Sequence, residues 1–193
     1  MAELIRIYED NPNPKQIKQV VNALRDGALV IYPTDTVYGL GCDPYNQDSV
    51  KKITQIKKRE SNKSYILVAS ELNQLTNLIN INSLSEEVLD SWPGHSTWLI
   101  KPEKNIPSWL IDNENGLIAI RVSSHPEIVE LCQFFKNPII STSANISGNK
   151  VLKNHQDVER VLGSYLDYLV LGNVGEYPEP SIIKDMKTGK VIR

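Results

Sequence analysis

The stretch that decides the reading is IYPTDTVYGLGCD, residues 31–43. It leaves an apolar run, Ala28–Tyr32, that reads as a buried strand. It then sets Thr34, Asp35, Thr36 and Tyr38 in a row and closes with Gly39 and Gly41. In an extended segment Thr34, Thr36 and Tyr38 alternate onto one face. Two hydroxyls and a phenol there can hydrogen-bond a small polar ligand, and the glycines let a backbone approach closely. The same residues also suit a solvated strand end with a Gly-rich turn. Composition alone leaves both readings open.

Outward from this stretch, helical and extended patterns alternate. Residues 14–25 place Ile17, Val20, Val21 and Leu24 on one helical face, with Pro14 in the first turn and Gly27 as a C-terminal cap. Residues 47–59 repeat the pattern with Val50, Ile53 and Ile56, and Asn46 suits the N-cap. SYILVAS (64–70) reads as a strand and SEEVLDSW (85–92) as a short helix, with capping-box spacing from Ser83 to Glu86. STWLI (96–100) and LIAIRV (117–122) read as strands, Pro126–Phe135 as a helix, and Pro138–Ser141 as a strand running into STSANISG. A helix over His155–Leu162, a strand near Tyr168–Leu171 and two C-terminal strands joined at Thr188–Gly189 complete the pattern. The expected class is α/β or α+β, a mixed sheet covered by helices.

The chain has 193 residues, 40% of them hydrophobic and 23% charged, which fits one domain over 1–193. A net charge of −2 gives no global reason for a polyanion partner. There is no long apolar run for a membrane span, and the N-terminus lacks the apolar core of a signal peptide. Cys42 and Cys132 form no CxxC and read as reduced thiols in a cytoplasmic protein. Phosphate-loop, dinucleotide-fold and nucleophile-elbow motifs are missing, and the three histidines make no metal-spaced cluster.

Three further constellations stand out. Lys57, Lys58, Arg59 and Lys63 gather at a helix end. They suit the macrodipole, or they clamp a polyphosphate through an arginine fork and lysine point charges. Lys57 and Arg59 converge only if the helix has ended by then. STSANISG (141–148) puts Ser141, Thr142, Ser143, Asn145 and Ser147 in seven residues, either as an anion nest or as a self-satisfied turn. Arg121, inside an apolar strand, needs a partner. It suits a ligand carboxylate, a structural salt bridge or the solvent face of the strand.

In order, YPTDTVYGLG, the KxR of Lys57 and Arg59, Pro93–Gly94 with Thr97, AIRVxxHP and STSANxSG resemble the YrdC/Sua5 family in its short, single-domain form. The similarity runs from about residue 15 to the C-terminus. It implies a twisted α/β sheet flanked by helices, with a deep basic cleft. It also implies synthesis of L-threonylcarbamoyladenylate and pyrophosphate from L-threonine, bicarbonate and ATP, with Mg²⁺ carried on the ATP phosphates. The product feeds N6-threonylcarbamoyladenosine formation in tRNA, with other proteins of that pathway as partners. The family's catalytic tetrad maps onto Lys57, Arg59, Ser143 and Asn145. Nucleotide contacts extend to Lys63 and Arg193, and threonine contacts map onto Thr34, Arg121, Thr142 and Ser181.

Several positions depart from the family pattern: Glu60 follows Arg59, His95 follows Gly94, and NKVLKN follows SANISG. The last leaves the adenine and ribose side undefined. One rival reading is a non-catalytic RNA-binding protein of the same fold, active in ribosome maturation, against which the acidic pI counts. Another is the YciO-like or hydrogenase-maturation branch, against which the KxR and SxN pairs count.

Overall fold

The structure is a computed structural model that describes residues 5–7, 14–58 and 64–193. Nine strands form one mixed sheet: β1 (Ile5–Ile7), β2 (Val30–Pro33), β3 (Tyr38–Gly41), β4 (Ile66–Ala69), β5 (Ser96–Ile100), β6 (Ile118–Val122), β7 (Ile139–Ser143), β8 (Tyr168–Val170) and β9 (Ile182–Asp185). Their order across the sheet is β1-β8-β2-β3-β7-β4-β6-β5-β9. Among the described residues five α-helices accompany them: α1 (Pro14–Arg25), α2 (Gln47–Lys57), α3 (Glu86–Asp90), α4 (Pro126–Phe135) and α5 (His155–Leu162). The mixed sheet and its helices match the class read from the sequence.

The helices form where apolar spacing and caps coincide. Ile17, Val20, Val21 and Leu24 of α1 are all buried, each stabilising by about 1.5–3 kcal/mol relative to exposure. Asn46 caps α2 by accepting from Ser49 N at 3.1 Å, and Ser49 Oγ donates to Gly27 O at 2.7 Å, which ties α2 to the turn after α1. Helix α3 is capped by Ser85, which accepts from Val88 N, rather than by Ser83. Ser83 instead donates to Asn80 O in a preceding turn.

Strand alternation divides the core in two. Ile31, Leu40, Leu67, Ile120 and Ile140 join one apolar cluster. Val30, Tyr32, Val68, Ile139 and Val170 join a second, covered by α1 and α4. Paired residues share a face, so Val68 opposite both Arg121 and Ile139 puts Arg121 on the second face. Ser141 and Ser143, two and four residues beyond Ile139, fall on that face too. That face is therefore apolar beneath α1 and α4 and turns polar along β6 and β7.

The opening stretch is a hairpin rather than one extended segment. β2 pairs antiparallel with β3, and Thr34 N donates to Val37 O at 3.0 Å across the turn. Thr34, Thr36 and Tyr38 consequently do not form one hydroxyl-lined face. Tyr38 is buried, and its hydroxyl donates to Gly172 O at 2.7 Å. The glycines also serve packing. A Cβ on Gly41 would meet Ile140 O and the Tyr32 ring, and one on Gly39 would meet Thr34 Cγ2 and the same ring. The C-terminal pair of strands reduces to β9 and a single antiparallel bridge, Lys184 to Val191.

Two outcomes follow from this core. Gly41→Ala forces overpacking against a backbone carbonyl and should cost about 1–3 kcal/mol, read as a lower midpoint in denaturant or thermal unfolding. Cys42 and Cys132 are free and fully buried. Burial raises both thiols, Cys132 to about 12. The native protein should leave both unreacted with a chromogenic disulfide, and the denatured protein should titrate both. Fast native labelling would contradict this packing.

Candidate active site

The cationic cluster and the Ser-rich segment meet at the end of α2. The helix stops at Lys57, because Lys58 takes a left-handed conformation at φ 48°. The helix has thus ended by residue 58, the condition set for Lys57 and Arg59 to converge. Arg59, Glu60 and Lys63 lie outside the described residues. Lys57 is 3% exposed. Its ammonium donates to Ser143 O at 2.5 Å, Asn145 O at 2.8 Å and Asn145 Oδ1 at 3.2 Å. Ser143 Oγ donates to the same Oδ1 at 2.7 Å, and Asn145 Nδ2 donates to Asn149 O at 2.7 Å. Lys57, Ser143 and Asn145, three of the four residues expected in the tetrad, therefore form one hydrogen-bonded cage. A buried ammonium is tolerable only with such acceptors around it.

The segment after β7 satisfies several of its own backbone N–H groups. Ser141, Thr142 and Ser143 belong to the strand itself. Beyond it, Ala144 N donates to Tyr38 O, Asn145 N to Ser143 O, Ser147 N to Lys57 O and Asn149 N to Ile146 O. Those four N–H groups already have acceptors. Thr142 pairs with Leu40 in β3 and so projects to the face opposite Ser143. That separates it from the group it was expected to join.

A second constellation is built around Arg121, which is 7% exposed. Its Nη2 donates to Asp35 Oδ2 at 2.5 Å and its Nε to Gly94 O at 2.7 Å. Ser123 Oγ lies 3.5 Å from the same Asp35 oxygen. Burial pushes the guanidinium pKa below its usual range, and the adjacent Asp35 charge opposes that. Behind Asp35, His125 N donates to Ser123 Oγ, and His125 Nδ1 lies 2.9 Å from Glu127 Oε2. Asp35 carries no assignment from sequence. The signal for it was a carboxylate in a polar turn together with a lone arginine inside a strand.

Thr97 lies one residue past the Trp98–Ile120 pair, level with Arg121. Its hydroxyl is 2.9 Å from Ser181 Oγ, and Arg193 Nη2 donates to Ser181 O at 3.2 Å. Ser181 and Arg193, predicted for different ligands, thus touch each other. Thr34 Oγ1 donates to Val37 O at 2.7 Å and accepts from Val37 N at 3.5 Å, both inside its own turn. The segment before β9 crosses this region: Gly175 N donates to Thr34 O, Tyr177 N donates to Asp35 O, and the Tyr177 ring stacks on His95 at 4.1 Å. A cavity of about 450 Å³ adjoins Lys58 and Ile146, but Lys57, Ser143, Asn145 and Arg121 do not line it.

The arrangement offers two cationic centres, Arg121 on the second sheet face and the Lys57 ammonium at the end of β7. Arg121 and Ser143 are separated by two strand spacings, roughly 10 Å, and by four residues along the strand, roughly 13 Å. Among the described residues no three His, Cys, Asp or Glu side chains gather as a metal site.

Comparison with known proteins bears on what this geometry serves. A family profile covering Sua5, YciO and YrdC, described as "Telomere recombination", matches residues 22–193. The threonylcarbamoyl-AMP synthase of Wigglesworthia glossinidia brevipalpis is 44% identical over 184 residues, 93% of each chain. The Coxiella burnetii protein of the same name is 41% identical, covering 93% of this chain and 97% of that one. Among solved structures, E. coli YciO superposes with a TM-score of 0.87 at 25% identity, covering 100% of this chain and 95% of that one. P. abyssi Sua5 complexed with L-threonine gives a TM-score of 0.88 at 24% identity; this chain spans 57% of it. With the profile match and relatives above 40% identity over nearly their whole length, the chain belongs to the Sua5/YciO/YrdC family.

Proposed function

We propose that the protein is a threonylcarbamoyl-AMP synthase that joins L-threonine, bicarbonate and ATP, releasing pyrophosphate, for threonylcarbamoylation of tRNA. The observation that carries this is the Lys57–Ser143–Asn145 cage, in a chain 44% identical to a relative bearing that name. We take residues 1–193 as a single domain working in the cytoplasm as a nucleotidyltransferase. Its product passes to pathway partners that act on tRNA. Among the described residues no helix is long and apolar enough to cross a membrane.

The chemistry assigned to the site is charge alignment. The threonine amine attacks the carbon of bicarbonate, or of CO₂ derived from it, forming a carbamate. With bicarbonate, one water leaves. A carbamate oxygen then attacks the α-phosphorus of ATP, and the bond to the β-phosphate oxygen breaks. The threonine carboxylate, the carbamate and the ATP phosphates are all anionic, so the main work is neutralisation and positioning. Arg121 receives the threonine carboxylate, with Thr34 and Ser181 beside it. Lys57, held in its cage, supplies positive potential at the phosphates, and the half-buried Ser143 presents its hydroxyl there. Arg59 and Lys63 complete the phosphate side, with Arg193 toward the nucleotide. Mg²⁺ carried on the ATP phosphates would neutralise part of their charge. Such a cleft is basic locally although the whole chain is acidic.

Pyrophosphate release by the purified protein with ATP, Mg²⁺ and bicarbonate should require L-threonine and should yield an adenylate of the expected mass. Release that ignores threonine, or none from a folded sample that binds RNA, would displace this reading. Lys57→Ala and Arg59→Ala should each lower kcat/KM for ATP about 100-fold or more. Wild-type turnover in either would remove that residue from the phosphate side. Arg121→Ala should act chiefly on the KM for threonine.

A further inference from the structure

The Asp35–Arg121 pair has a geometry that a simple counter-charge does not need. The guanidinium is held from two directions, by Asp35 Oδ2 at Nη2 and by Gly94 O at Nε. Two fixed contacts on a planar group set its plane and its rotation. Among the described residues, Nη1 makes no hydrogen bond to the protein. Both anchors are themselves fixed. Gly94 N donates to Val122 O at 2.8 Å, Asp35 O accepts from Tyr177 N at 3.2 Å, and the adjacent Thr34 O accepts from Gly175 N at 2.9 Å. Asp35 is 6% exposed, so its carboxylate has little water to turn into.

We propose that Asp35 is a positioning residue: it orients Arg121 so that the remaining Nη1 edge meets the carboxylate of the amino-acid substrate. The inference rests on the synthase reading above. It also makes a claim about sign. As a charge, Asp35 repels an incoming carboxylate and cancels part of the attraction of Arg121. Its benefit to binding must therefore come from orientation, because a misaimed fork loses the directional hydrogen bonds that distinguish arginine from a point charge. If Asp35 only neutralised a buried arginine, a neutral replacement of the same shape would leave threonine binding unchanged or tighten it.

The test compares wild type, Asp35→Asn, Arg121→Ala and the double variant by calorimetric titration with L-threonine and with L-threoninamide, which lacks the carboxylate. Threonine-dependent pyrophosphate release is measured in parallel. Asp35→Asn preserves volume, and its thermal melt establishes that the sample is folded. The expected result is a threonine Kd and KM raised about tenfold to a hundredfold, kcat little changed and threoninamide binding unaltered. The double variant should bind threonine no worse than Arg121→Ala alone, because both changes remove one interaction. Unchanged or tighter threonine binding in Asp35→Asn would overturn the proposal. So would an equal loss for threonine and threoninamide, which is the mark of a merely structural role. Failure of the synthase reading shows separately, as a wild type that neither binds threonine nor releases pyrophosphate with it, and it takes this inference down too.

Discussion

The buried ammonium of Lys57 is the constraint around which the site is arranged. It joins the end of α2 to the end of β7 across 86 residues of sequence. A lysine that is 3% exposed retains its charge only if carbonyls and amides replace its water. Ser143 and Asn145 do this mainly through backbone and amide oxygens, so the loop's path is set by the cation. Ser147 N returns the contact by donating to Lys57 O. Helix, strand and loop lock together, and the Ser143 hydroxyl is placed by the same network.

The second constraint is the division of one sheet face. Under α1 and α4 it is built from Val30, Tyr32, Val68 and Ile139. Beyond them the same alternation delivers Arg121, Ser141 and Ser143. Polar side chains thus stand on a surface whose stability is supplied next door by apolar packing. Tyr32 marks the boundary. Its ring occupies the space that Gly39 and Gly41 leave by having no side chain. The two glycines lie in β3, where they accommodate an aromatic ring inside the protein.

Much of this was legible in advance. Helices α1, α4 and α5 appear over their expected residues because apolar spacing, with Pro14 and Pro126 at the starts of the first two, agrees with the packing. Lys57, Ser143 and Asn145 were picked out together by motif order, and they touch. The hairpin at residues 34–37 was missed because period-two alternation looks the same in a continuous strand and in one that reverses within four residues. Asp35 was missed for a related reason. Its role is defined by Arg121, 86 positions away, and local pattern carries no information about so distant a partner. The strand was expected to end at Ser141; Thr142 and Ser143 read as loop because hydroxyl-rich sequence resembles turn chemistry, whereas pairing with β3 keeps them extended.

The strand order has a consequence for how the molecule comes to exist. β8, residues 168–170, lies between β1 and β2 and pairs in parallel with both. β9, residues 182–185, closes the opposite margin beside β5. During synthesis, the first strands therefore wait for partners translated well over a hundred residues later. The Lys57 cage can close once residue 145 has emerged, but the Ser181 side of the Arg121 constellation cannot. The Lys57 centre can therefore be complete before the Arg121 centre, and β1 stays unpaired until nearly the whole chain is available.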